Sequence, residues 1–275
     1  MARRRQFTSL FLLISLLGSA LGSGCAMAGP ADGSTGPDGK ADANRRSVRT
    51  PALASAYIGT VISHAVTADL DGTDREIFVS RVDGFLIPVT TDKGVTLYLQ
   101  PCRIDLPDVG GWRPSLDDFT VQTRPAVELA ATFSEDADGQ LTLATESGAL
   151  LLGVELEDAI NDELPTSGDD LRVVDHDADD EPGVTVDIAG FEIYLGVRAL
   201  IWISGDVDRT TGFIAGEADF TIDTEVYDDS NPFFDARAAA EEAKHDDSRE
   251  LIESETVFEF VPLREVPVDC AAIGF

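Results

Sequence analysis

From Phe191 to Ile203 every second residue is apolar: Phe191, Ile193, Leu195, Val197, Ala199, Ile201 and Ile203. Side chains alternate across a strand with period two, so this spacing specifies a β-strand with one dry face over thirteen residues, long for a globular protein. The opposite face carries Glu192, Tyr194, Arg198, Leu200 and Trp202, and is only partly polar. A partner strand follows, in which Ile214, Ala218, Phe220, Ile222 and Val226 alternate with Glu217, Asp219, Thr221, Asp223 and Glu225. A turn through residues 208–212 joins the two as a long hairpin.

The rest of the chain after Ala56 reads the same way, as runs rich in Val, Ile, Thr, Phe and Tyr between Asp, Gly and Pro turns. Tyr57 to Ser63, Glu76 to Val82, Phe85 to Val89 and Val95 to Gln100 are strands, and Val127 to Phe133 turns through Asp138-Gly139 into Leu141 to Leu143. Ala149 to Leu156 is a continuous apolar run, either a strand buried on both faces or a buried helical turn. Pro107 to Leu116 reads as an irregular loop pinned by Trp112, and Glu157 to Asp170 as a polar loop. Asn231-Pro232 has the chemistry of a helix start ahead of an Ala- and Glu-rich stretch. The expected fold is all-β, an antiparallel sandwich or partly closed barrel, with one helical excursion over about residues 232–252, and Val257 to Leu263 returning to the sheet.

The N-terminus sets the address. Arg3, Arg4 and Arg5 precede an apolar segment, Leu10 to Leu17, that is too short for a permanent membrane span, which is the pattern of an export signal. Leu21-Gly22-Ser23-Gly24-Cys25 resembles the lipobox of bacterial lipoproteins, with Gly22 where that pattern has Leu. That resemblance implies a signal peptide over 1–24 and lipid attachment at Cys25. A rival cut after Ala28 would release a soluble protein. Residues 25–50 have almost no bulky apolar side chains and read as a flexible acidic tether, leaving 51–275 as a single β-domain.

With 51 acids against 20 Lys and Arg the net charge is −31, which opposes binding to nucleic acid or to anionic lipid head groups. It favours cations. Asp175, Asp177 and Asp179 alternate, Asp180 follows, and Pro182-Gly183 leads into a strand at Val184. Such a loop is either a solvated acidic turn or a set of hard oxygen ligands for Ca²⁺, the candidate cofactor. An EF-hand it is not, because Asp180 stands where glycine is needed and Val186 where a bidentate Glu belongs. Asp69 to Asp74 is a second acidic turn. His64, His176 and His245 lack motif neighbours, the charge of His176 would compete with a cation, and there is no phosphate loop, zinc motif or nucleophile elbow. Cys102 and Cys270 are the pair left once Cys25 is lipidated, and in an oxidising compartment they form a disulfide or remain two buried thiols.

The segment Val174 to Val186 resembles uncharacterised predicted lipoproteins of the myxobacterial group, which typically read Asp-x-Asp-x-Asp-Gly-x-Pro-Gly-Val-Thr. The likeness covers about Arg172 to Cys270, with Asp180 replacing their glycine, and implies address and fold class only. The functional expectation is an exported lipoprotein at the outer membrane, on its periplasmic face or the cell surface, whose partners are the membrane through its anchor and an unidentified protein or small molecule. It is read as non-catalytic, a binding or envelope-structural module. The alternatives are a carrier of an apolar or lipid-like ligand in a barrel cavity and, behind it, a carboxylate-based glycan hydrolase.

Overall fold

The computed structural model describes residues 46–47, 52–69, 75–92, 94–108, 112–188, 190–232, 235–243 and 249–275. The expected signal peptide, Cys25, nearly all of the expected tether, most of the acidic stretch at 69–74 and His245 lie outside them. Among the described residues the strands are β1 (Arg46–Ser47), β2 (Ala56–Asp69), β3 (Arg75–Thr91), β4 (Gly94–Asp105), β5 (Pro114–Leu116), β6 (Val127–Glu135), β7 (Leu141–Thr145), β8 (Gly148–Leu152), β9 (Val184–Ile188), β10 (Phe191–Val207), β11 (Ile214–Asp229) and β12 (Arg249–Leu263). Helix α1 (Asp118–Gln122) precedes β6, helix α2 (Ala236–Ala243) precedes β12, and a 3-10 turn (Ala271–Ile273) ends the chain.

All the strand pairs are antiparallel, in the order β6-β4-β3-β2-β12-β11-β10, and β7 pairs with both β6 and β10. The ladder therefore returns on itself as a ring of eight strands. Strand β10 is the hub: one edge pairs with β11 from Ile193 to Val207, while the other is divided among β9, β8 and β7 in turn. The all-β expectation holds, and of its two forms the pairing gives the ringed one. Inside the ring lies one apolar cluster, in which Tyr57, Leu86, Leu97, Leu129, Phe258 and Phe260 are fully buried.

The expected break between Glu76 to Val82 and Phe85 to Val89 is absent, because β3 runs through Asp83-Gly84 as one seventeen-residue strand. Gly84 marks a close approach: a Cβ there would lie 2.3 Å from the Gln100 carbonyl oxygen. Gly84 pairs with Pro101 and Asp83 with Arg103, so Cys102 is the extra residue of a bulge on β4. The bulge turns Cys102 to the outer face, where it is bonded to Cys270 with their Cα atoms 5.5 Å apart. Phe85 and Ile87 of β3 and Ile273 and Phe275 of the C-terminus pack around the disulfide. Beside it Asp83, only 1% exposed, accepts hydrogen bonds from Thr60 Oγ, Arg81 Nε and Arg103 Nη2, and the Arg103 guanidinium lies 5.5 Å from the Phe275 ring centroid. A buried carboxylate is tolerable only when paired in this manner.

Two further expectations are corrected and one that was open is resolved. The helical excursion is shorter than 232–252: α2 begins at Ala236, where Asp235 Oδ1 accepts the Ala238 N–H as a cap, and residues 249–252 belong to β12, whose pairing with β2 overrides their helix propensity. Asn231 instead donates its N–H to Asp229. Nor does Trp112 pin its loop, being 38% exposed; the segment is held by β5, which pairs with β9. Ala149 to Leu156 resolves as strand β8 followed by a Val154–Val173 bridge.

Thiol counting on denatured, unreduced full-length chain should find no free thiol other than that of Cys25 when it is unmodified. Replacing Cys102 and Cys270 together by Ala should lower the unfolding free energy by about 2–4 kcal/mol, the usual range for a native bridge. Two additional free thiols would contradict the pairing.

Candidate functional site

Between Gly153 and Gly183 the chain leaves the ring and lies against the outer face of β10 and β11. Val154, Leu164 and Tyr227 form a small apolar cluster beneath it, and Arg198 of β10 reaches out to the carbonyls of Ile160 and Asp162 while its other nitrogens bind Asp223. The return depends on glycine. Gly183 has φ +99°, and a Cβ there would meet the Leu195 carbonyl oxygen at 2.4 Å. Immediately before that return sits the aspartate run.

Asp175 folds the loop about its own carboxylate: Oδ1 accepts the N–H groups of Ala178 at 2.6 Å and Asp179 at 3.3 Å, and Oδ2 accepts that of Asp180 at 3.0 Å. Ala178 and Asp180 take positive φ, 61° and 70°, to aim those donors inward. Asp177 Oδ2 accepts the Thr185 N–H at 2.6 Å, and Asp179 takes the Glu181 N–H and the Thr185 hydroxyl. One carboxylate oxygen from each of Asp175, Asp177 and Asp179 thereby lies within 4.8 Å of the others. The expected fourth ligand, Asp180, is not part of that group; it serves through its N–H and its turn geometry.

The charges respond to this crowding. Desolvation pushes Asp177 above the usual carboxylate range, and the neighbouring Asp179 adds to it against the Thr185 N–H. Desolvation acts upward on Asp175 too, but the N–H groups of Asp180, Ala178 and Asp179 and the Asp177 side chain outweigh it, and Asp175 stays below the usual range. Asp177 Oδ1 is buried and has no hydrogen-bond partner among the described residues. A carboxylate oxygen in that position calls for a proton or a cation.

His176 departs from expectation. Its Nδ1 accepts the Gly153 N–H at 2.9 Å, so the ring ties the loop to Gly153 as a neutral base, while its backbone N–H donates to the Gly183 carbonyl and ties the other end. Burial, with Arg124 nearby, pushes its pKa down to about 4. At neutral pH it carries no charge to compete with a cation.

On the other side of β9 is a cavity of about 150 Å³ inside the ring. Val184 and Val186 line it, along with Val61, Phe78, Leu195 and Phe220. Thr185, between the two valines, points the opposite way into the aspartate loop, so one short strand is both a cavity wall and the anchor of the acidic cluster. Among the described residues no charged side chain lines the cavity, and the hydroxyls there belong to Ser63 and Ser80. Near it the ring has a seam: β11 pairs with β12 only from Ile214 to Glu217, whereas β12 continues along β2 to Arg249. Thr185, Ser63 and Ser80 carry no motif; the sequence signal for the serines is a small polar residue at an inward position of an otherwise apolar alternation. No protein-family model, curated protein or solved structure matches the chain.

The His176 lock fixes a pH dependence. The unfolded chain protonates this residue near pH 6.5 and the folded chain near 4, so its contribution to stability is complete above pH 6.5 and is lost as pH falls through that window. Urea midpoints measured between pH 7 and pH 4.5 should drop more steeply for the native chain than for His176→Gln. Equal drops would show that His176 does not hold the loop.

Proposed function

We propose that the chain is an exported, lipid-anchored binding protein whose barrel interior takes up a small apolar molecule and whose outer loop holds a structural Ca²⁺. The carrier reading rests on one observation, a cavity of about 150 Å³ with an almost wholly apolar lining inside a ring of strands. Well-packed interiors keep few voids larger than a water molecule, and an engineered cavity near this volume stays dry and binds benzene. The disulfide suits an oxidising compartment, and no helix among the described residues is long and apolar enough to cross a membrane. Both are compatible with export. The lipobox-like segment at Cys25 supplies the anchor in this reading. A non-catalytic role is supported by the cavity lining, uncharged among the described residues, and by the Asp175 carboxylate, both of whose oxygens are engaged by the loop's own N–H groups.

Calcium is favoured at the loop because three carboxylates converge and one oxygen of Asp177 has no protein donor. A divalent cation offsets the mutual repulsion and fastens the loop to Thr185. Carbonyls or water must complete the six to eight oxygens Ca²⁺ takes. Mg²⁺ should serve less well, since it demands tighter octahedral geometry.

Two outcomes follow. Toluene should raise the melting temperature and broaden or shift the methyl resonances of Val184, Val186 and Leu195 in the full chain; a chain unaffected by saturating toluene removes the carrier reading. At a hundredfold excess over Kd, Ca²⁺ should raise the melting temperature by about 5–10 °C above ionic-strength-matched NaCl. The rise should shrink as pH falls toward the elevated pKa of Asp177, because the proton occupies the same oxygens. Asp177→Asn should lose the calcium response without losing stability in chelator. An equal response to NaCl, or an intact response in the variant, leaves only a screened acidic loop.

A further inference from the structure

Ser63 and Ser80 are direct partners across β2 and β3 and both face the cavity. Thr256 of β12 is the partner of Ser63 on its other side, and its hydroxyl donates to Ser63 Oγ at 3.1 Å. Three hydroxyls thus form a row across adjacent strands. Above and below, the pairs Val61–Val82 and Ala65–Phe78 are apolar, which makes the row a polar spot between dry pairs of β2 and β3. Ser63 is 7% exposed and, with its oxygen accepting from Thr256, keeps its own proton for another acceptor. Ser80 has no hydrogen-bond partner among the described residues, and its side chain opens onto the cavity.

Two unspent hydroxyls call for a ligand oxygen, since a hydrocarbon alone would leave them unmet when it displaced water. The lining also fixes the charge of the ligand. With no Lys, Arg or His among the described lining residues a carboxylate or phosphate would be buried unpaired against them, and with no Asp or Glu among them an ammonium would be as well. A chain of net charge −31 further disfavours anions at long range. We propose, building on the carrier reading above, that the cavity selects a neutral molecule of about six to eight non-hydrogen atoms carrying one hydroxyl or carbonyl oxygen, seated against Ser63 and Ser80.

Phenol and toluene have nearly the same shape and differ in a hydroxyl against a methyl, and benzoate adds a charge. Their affinities for the full chain and for Ser80→Ala and Ser63→Ala/Ser80→Ala, measured by calorimetry at pH 7, separate the possibilities. Toluene binding shows in each variant that the barrel is folded and the cavity intact. The proposal expects phenol to bind the native chain, its affinity relative to toluene to fall about tenfold in the double variant, and benzoate to bind at least a hundredfold more weakly than phenol. A phenol-to-toluene ratio unchanged by the substitutions overturns the polar seat while leaving the apolar cavity standing. Benzoate binding as well as phenol overturns the requirement for neutrality. Failure of all three to bind the native chain removes the carrier reading and this proposal together.

Discussion

The architecture depends on the way β10 divides its second edge. A seventeen-residue strand carries a long row of backbone donors and acceptors on each side, and inside a protein each row must be met. β11 meets one row along almost its whole length. No single strand meets the other; β9 takes Phe191 to Leu195, β8 takes Val197 to Ile201 and β7 takes Ser204 to Val207. Because β7 also pairs with β6, that last segment closes the ring, and because β9 and β8 are separated by a loop of some thirty residues, the same edge decides where the acidic loop must leave and return. The closure and the candidate cation site are two results of one hydrogen-bonding requirement.

β9 carries the link between surface and interior. Its alternation puts Val184, Val186 and Ile188 into the ring and Thr185 out toward Asp177 and Asp179. Whatever orders the aspartate loop therefore also fixes one wall of the cavity. Among the described residues the carboxylates are kept away from that cavity, and the one that is almost fully buried, Asp83, sits on the outer side of β3 between two arginines.

Much of this was legible in the sequence where a single period governed. The long strand β10, its hairpin with β11 and the β6–β7 hairpin follow from alternation and turn chemistry alone, whereas the continuous apolar run of β8 left a strand and a buried helical turn both open. What was not legible depends on contacts far apart in the chain. Asp83-Gly84 has the composition of a turn, yet it stays extended because Arg81, Arg103 and Thr60 satisfy the aspartate and the bulge at Cys102 brings β4 close to the glycine. Arg249 to Ile252 has the side chains of a helix end, and pairing with β2 draws it into a strand. The aspartate spacing pointed to the three carboxylates that converge, but it could not show that Asp180 turns the backbone instead of joining them, or that burial keeps His176 neutral.

The central claim is that the ring is closed at β7. Native-state amide exchange followed residue by residue tests it directly, because β7 is short and is joined to β10 by only four residue pairs. In a closed ring the amides of Leu141 to Thr145 and of Ile203 to Val207 exchange only through global unfolding, with the same opening free energy as the long β2–β12 ladder. Exchange of β7 through a cheaper local opening, while β2 and β12 stay protected, would mean an open sheet and an interior exposed along that edge.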